Sequence, residues 1–248
     1  MITEETGQFY YGWKVVGAIF VLLTFTSGLS FYNHAIYLNA LAEQSAFTVS
    51  IASTAVSIFF LTGGVTGLYV AKWVERYDPR ICITGGAIVS CCSLSVLAYV
   101  TTTWELFVVY GVFGAGFSAS SLIPATTLVA KWFKRRRAMA LSIASTGLSL
   151  GGVIITPLSI LMVESLGFEI ASPLLGLVYL LGVIPVAWVY LRVSPESIGL
   201  RLDGEKPQSS SLLAGETSSD GFEDGLFFRE AIKRKFFWAV SFAYIFLM

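Results

Sequence analysis

The chain has 248 residues, 55% hydrophobic and only 13% charged, with a mean hydropathy of +0.74 and a formal net charge of zero. A water-facing globular domain carries about 25% charged residues, so a soluble fold is excluded. Cys82, Cys91 and Cys92 share one apolar stretch, which excludes a disulfide framework, and the chain has no Cys/His spacing for a metal site.

Residues 1–14 carry acids at Glu4 and Glu5 rather than a basic leader, and the apolar run after them is too long for the roughly 7–15-residue core of a cleavable signal peptide. Crossing about 30 Å of hydrocarbon takes about 20 apolar residues. Six runs reach that length: 15–38, 49–71, 81–100, 106–129, 138–163 and 172–191. Each is too long for a barrel strand and lacks two-residue alternation, so each is predicted as a helix. Aromatic residues stand at the run ends, where interfacial anchors belong: Tyr10, Tyr11 and Trp13, then Trp73 and Tyr77, Trp104, Trp132, and Trp188 and Tyr190. Gly63 and Gly67 in the second run, Gly111, Gly114 and Gly116 in the fourth, and Gly147 and Gly151 in the fifth let neighbouring backbones approach closely. Pro157 and Pro185 are expected to kink their spans.

The charges are sorted. All sixteen Lys and Arg residues fall at the start of the chain or in the gaps after the second, fourth and sixth runs, while Glu43, Glu105, Glu164 and Glu169 occupy the other three gaps. Cytoplasmic loops keep Lys and Arg, so the expected topology has the N-terminus in the cytoplasm of a multi-pass plasma-membrane protein. Residues 15–193 then form a six-span bundle. Residues 194–235, with Pro195, Pro207 and the serines at 209–211, read as a polar cytoplasmic linker whose stretch 228–235 is a candidate amphipathic surface helix. The apolar run 236–248 is too short to cross the bilayer, so the chain is expected to end partway into a seventh span.

Enzyme chemistry is not visible. There is one histidine, no nucleophile–base set and no phosphate-binding glycine loop, so no cofactor, metal or nucleic-acid partner is expected. His34 is the one residue well inside a span that titrates near neutral pH, with an unperturbed pKa of about 6.5. An ionisable group within a membrane span is a candidate functional group, able to bind a carboxylate or carry a proton. It lies about 30 Å beyond Lys14 along a helix, near the external mouth, where Tyr32, Asn33 and Tyr37 join it in a candidate outer vestibule. An interfacial histidine bonded to a neighbour is the plainer alternative.

The sequence motifs point to a family. The stretch 67–80 reads G-L-Y-V-A-K-W-V-E-R-Y-D-P-R, with Gly67, Glu75, Arg76 and Arg80 at the recurrent places of the signature between the second and third spans of major facilitator transporters. Glu75 stands where Asp is usual, and Asp78 where Gly is usual. Tyr11-Gly12-Trp13-Lys14 at the first span, Pro124–Ala140 at the fourth loop, Gly147, Gly151, Gly152 and Pro157 in the fifth span and Pro195–Leu200 after the sixth narrow the match. Together they resemble the monocarboxylate transporter and oxalate/formate antiporter branch of the superfamily.

That resemblance implies an all-α fold, the six-helix N-terminal half of a major facilitator transporter, lacking its C-terminal half. It implies a small organic anion, a monocarboxylate or relative, as substrate, moved by alternating access with protons or a counter-anion. It assigns Gly67, Glu75, Arg76, Asp78 and Arg80 to a gating loop that contacts the other half. The first and fourth spans would line the cavity, and counting to their midplanes selects Thr26, Ser27, Ser118 and Ser121 as candidate cavity residues. Each hydroxyl can instead bond back to its own helix. The basic cluster Lys131, Lys134, Arg135, Arg136 and Arg137 fixes topology and draws anionic lipid by about 1 kcal/mol per charge. Two rival classes stay open: a non-transporting subunit or receptor that uses the linker as a partner site, and a permease subunit of a multi-chain importer.

Overall fold

The computed structural model describes residues 10–44, 47–200 and 237–239. Among the described residues, six helices have the length and apolarity to cross a membrane: α1 (Gly12–Glu43), α2 (Val49–Arg76), α3 (Pro79–Leu97), α4 (Thr103–Trp132), α5 (Arg137–Leu166) and α6 (Phe168–Tyr190). All six expected spans are present as helices. Backbone hydrogen bonding continues through charged residues, so α2 reaches Arg76 rather than stopping before Lys72, while α3 ends at Leu97, three residues short of its apolar run.

Local chemistry sets the boundaries. Thr48 caps α2 by accepting from the Ile51 amide. Asp78 caps α3, its Oδ1 accepting from the Arg80 amide at 2.9 Å, and Pro79 fills the first turn, where a missing N–H costs nothing. Asp78 thus replaces a turn glycine with a helix cap. Thr102 and Glu105 form a reciprocal capping box at the start of α4. Gly167, at φ 77°, makes the turn between α5 and α6, a conformation that a Cβ disfavours.

Three spans are irregular. A π-helical turn covers Ser27–Tyr32 in α1, and another covers Gly151–Ile155 in α5 just ahead of Pro157. In α4, Ser121 (φ −113°, ψ −128°) leaves the helical region between segments ending at Ser120 and starting at Leu122. By contrast, α6 remains helical through Pro173 and Pro185.

The packing has a hidden repeat. The main contacts are α2 on α4, α3 on α4, α3 on α6, α6 on α1 and α1 on α5. Exchanging each span with the one three places later returns the same set. Gly63 and Gly67 of α2 abut Gly114 and Ser118 of α4, and Gly147 and Gly151 of α5 abut Phe20 and Thr24 of α1. The four-residue step is kept on both sides of both interfaces. At Gly147 an added Cβ would overlap the Phe20 carbonyl, so backbone contact there requires glycine. The two glycine pairs serve the same packing role in the two three-span repeats.

The bundle lies in one compact unit, Met1–Glu205. A second unit, Lys206–Met248, contributes only helical residues 237–239 to the description. Most of the linker 194–235, the amphipathic stretch 228–235 and nearly all of the run 236–248 lie outside the described residues, as do residues 1–9.

Candidate functional site

The α1 π turn ends at Asn33, and His34 starts the next helical stretch. Helical side chains tilt toward the N-terminus, so the His34 ring leans toward the middle of the bundle. It enters a box of rings: Phe59 at 4.4 Å, Tyr110 at 5.6 Å, Phe60 at 6.0 Å and Phe113 at 6.3 Å between centroids. Phe59, Tyr110 and Phe113 lie seven to ten residues from the starts of α2 and α4, about 10–15 Å into the bundle.

This differs from an open vestibule. Asn33 and Tyr37 are fully buried and His34 is 7% exposed, whereas Tyr32 is 40% exposed. The aromatic rings of α2 and α4 close over the histidine, and counting Cα positions along α1 misses both this lid and the inward tilt. Asn33 Nδ2 donates to Ser159 Oγ of α5 at 2.7 Å and to Tyr37 Oη at 3.2 Å, while Tyr37 donates to the Leu29 carbonyl at 2.8 Å. These bonds seal the gap left by the π turn. Both His34 nitrogens, Tyr110 Oη and Asn33 Oδ1 are buried without a hydrogen-bond partner among the described residues. Burying a polar group unpaired costs about 1–3 kcal/mol.

The midplane hydroxyls divide. Thr26 Oγ1 and Ser121 Oγ meet across α1 and α4 at 3.4 Å. Ser27 turns away and donates to the Leu148 carbonyl of α5 at 2.8 Å, pinning the α1 π turn to α5 three residues ahead of the α5 π turn. Ser118 Oγ is buried and unpaired. Ser118 and Ser121 line a cleft of about 170 Å³ between α2 and α4, walled by Phe59, Phe60 and Phe117, with Gly64 on its α2 side. Phe59 and Phe60 also belong to the His34 box, so cleft and box share a wall. Behind them, the Ser120 and Tyr179 hydroxyls share a hydrogen bond of 2.8 Å, with Ser30 and Ser90 beside the same phenol outside bonding geometry. This bond ties α4 to α6 at the α4 break, with α1 and α3 adjoining through Ser30 and Ser90, and sequence reading missed it. Its signal was the mid-span Tyr179, whose hydroxyl needs a partner once buried.

At the basic end, Gly67 packs against Ile123 and Ser118 of α4. Arg80 pairs with Asp78 at 3.8 Å, while Glu75 and Arg76 are exposed. Lys131 departs from its basic cluster, since its Nζ donates to the Val74 carbonyl at 3.0 Å. It thereby satisfies an orphan carbonyl at the C-terminus of α2, where the helix dipole favours a cation. Lys134, Arg135, Arg136 and Arg137 are exposed. Trp132 is not a lipid-facing anchor. It is fully buried, donates from Nε1 to the Arg192 carbonyl at 2.9 Å and packs with Tyr10, Tyr11 and Phe133. Tyr10 Oη donates to the Trp132 carbonyl, closing an aromatic plug over the ends of α1, α4 and α6.

Six apolar spans, a repeat by threes and an aromatic-walled cleft beside the break in α4 define a multi-pass membrane protein with the half-bundle plan of a secondary transporter. The family model of the Major Facilitator Superfamily matches residues 20–248, and the chain belongs to that family. The family is one of transporters, not enzymes. The chain is 26% identical over 184 residues to an uncharacterized MFS-type transporter, YcxA, of Bacillus subtilis, covering 72% of this chain and 45% of that protein. It is 29% identical over 178 residues to the aspyridones efflux protein apdF of Emericella nidulans, covering 71% and 35%. It is 24% identical over 230 residues to monocarboxylate transporter 2 of Mesocricetus auratus, covering 88% and 46%. Among solved structures, a bacterial homolog of the human lysosomal transporter Spinster, inward-facing and unoccupied, shares the fold with a TM-score of 0.60 at 17% identity, over 82% of this chain and 47% of that one. The chain spans less than half the length of each of these relatives.

Proposed function

We propose that this chain forms the first half of a secondary active transporter that moves a small organic anion, a monocarboxylate by class, through alternating access. The observation that carries this reading is a line of buried polar groups without hydrogen bonds among the described residues: His34 and Tyr110 in the aromatic box, and Ser118 about 12 Å further along α4 in the adjoining aromatic-walled cleft. The Ser118 hydroxyl in the cleft donates to a carboxylate, while the Tyr110 hydroxyl stands beside His34, about 12 Å back along α4. A proton on His34 would cancel the carboxylate's charge, and neither charge enters an apolar box cheaply alone. The same logic makes protons the natural co-substrate. Basic loops and the N-terminus lie in the cytoplasm of a plasma-membrane protein, and the exposed Glu75 and Arg76 reach the second half when the transporter faces outward. The likeness to monocarboxylate transporter 2 supports the substrate class. A second reading, export of a more apolar metabolite, is favoured by the walls of Phe59, Phe60 and Phe117 and by the likeness to the aspyridones efflux protein.

The test is uptake of radiolabelled lactate and benzoate by vesicles holding the chain together with whatever sequence its gene encodes after Met248. Accumulation should follow an inward proton gradient and vanish in His34→Ala. Folded protein that moves neither acid under a gradient in either direction would overturn the reading.

A further inference from the structure

A groove of about 360 Å³ runs along the outside of the bundle between α2 and α3, floored by α4. Thr66, Tyr69, Val70 and Trp73 form one wall, Gly85 belongs to the other, and Ala119 lies on the floor. Its volume falls in the range of about 300–1,000 Å³ typical of ligand sites. Ala119 is two residues from Phe117, about 200° around a helix, so the groove lies on the back of α4, away from the cleft. The four α2 residues share one helix face, and the next members of that face are Arg76 and Tyr77. Thr66 and Arg76 are about 15 Å apart along the axis, which is the depth of one leaflet of a roughly 30 Å core. The groove therefore starts near mid-membrane and opens at the basic end beside Arg76. Tyr69 is 71% and Trp73 48% exposed, placing amphipathic rings along its length. Asp78 is engaged by Arg80, so the exposed Arg76 guanidinium is open to another anion.

We propose that this groove holds an acyl chain of an anionic phospholipid from the leaflet at the basic end, with Arg76 on its phosphate. An apolar void beside lipid gains dispersion contacts when a hydrocarbon chain fills it, and a guanidinium binds phosphate oxygens in pairs. The groove needs only the observed packing of α2, α3 and α4, so this inference does not rest on the transport reading.

The purified chain, stripped of lipid in mild detergent, is titrated with phosphatidylglycerol or phosphatidylcholine while its thermal midpoint is followed. Phosphatidylglycerol should raise the midpoint at about fivefold lower concentration, the ratio expected of one basic contact at the interface. Arg76→Gln should bring the two lipids to the same concentration. An added Cβ at Gly85 meets nothing within 4 Å, so Gly85→Leu should fill the groove, keep the lipid-free midpoint and abolish the response to both lipids. Should Gly85→Leu lower the lipid-free midpoint, Thr66→Leu fills the groove from the other wall and should give the same loss. Equal titration by both lipids in the unaltered chain, or an unchanged response in both groove-filled variants, overturns the proposal. So does light scattering that shows the groove-filled variants splitting a dimer.

Discussion

Replacing His34 by Phe separates what the residue does for stability from what it does for function. Four aromatic rings surround the imidazole, and neither nitrogen has a hydrogen-bond partner among the described residues. A neutral imidazole carries one donor and one acceptor, each costing about 1–3 kcal/mol when buried unpaired. In membranes, hydrogen bonds average nearer 0.6 kcal/mol, so the lower end of that range applies. A phenyl ring removes both orphans and matches the apolar walls, while its extra bulk costs about 1 kcal/mol of overpacking. The balance is a stabilisation of about 1 kcal/mol. Thermal melting in detergent should show His34→Phe unfolding above the unaltered chain, and vesicle uptake should show the same variant inactive. A lower melting temperature would refute the claim that the imidazole is an unpaired polar group held at a cost. Normal uptake would refute its place in the site.

Gly147→Ala pushes a methyl group into the Phe20 carbonyl, so it should lower stability by about 1–3 kcal/mol; Gly17→Ala, where an added Cβ meets nothing, should raise stability by about 0.5–1 kcal/mol, and paired melts check both. Lys131→Met removes the donor to the Val74 carbonyl and should cost about 1–2 kcal/mol, visible as faster tryptic cleavage at Arg76, whereas Arg135→Met should leave that rate unchanged. Gly64 lines the cleft and has open space where a Cβ would stand, so Gly64→Leu should block uptake without changing the melt.

Depth in the membrane was legible in the sequence, and azimuth was not. Hydropathy and the sorting of Lys and Arg report how far along a span a residue lies, so all six spans and the glycine pairs could be placed in advance. Which way a side chain points depends on the helix staying regular. One extra residue in the π turn of α1 rotates everything after Tyr32, and this sends Asn33 to Ser159 and His34 into the aromatic box. Ser27 and Thr26 are adjacent in sequence and look equivalent by depth, but one bonds to α5 and the other meets α4. Trp132 has the composition of an interfacial anchor, and only the approach of Tyr10 and Arg192 reveals it as a plug. Lys131 looks like one more loop charge until the end of α2 arrives beside it. The three-span repeat is kept in contacts and glycine spacing, while the side chains between have diverged too far to align by eye.

The most direct test of the account is sidedness. With Cys82, Cys91 and Cys92 replaced by Ala, single cysteines are introduced as Thr102→Cys, just before α4, and Arg135→Cys, just after it. An impermeant maleimide added to intact cells should label Thr102→Cys at once and Arg135→Cys only after permeabilisation. Labelling of both positions from the same face would mean that α4 does not cross the membrane, and the six-span bundle, its cleft and the transport reading would fall together.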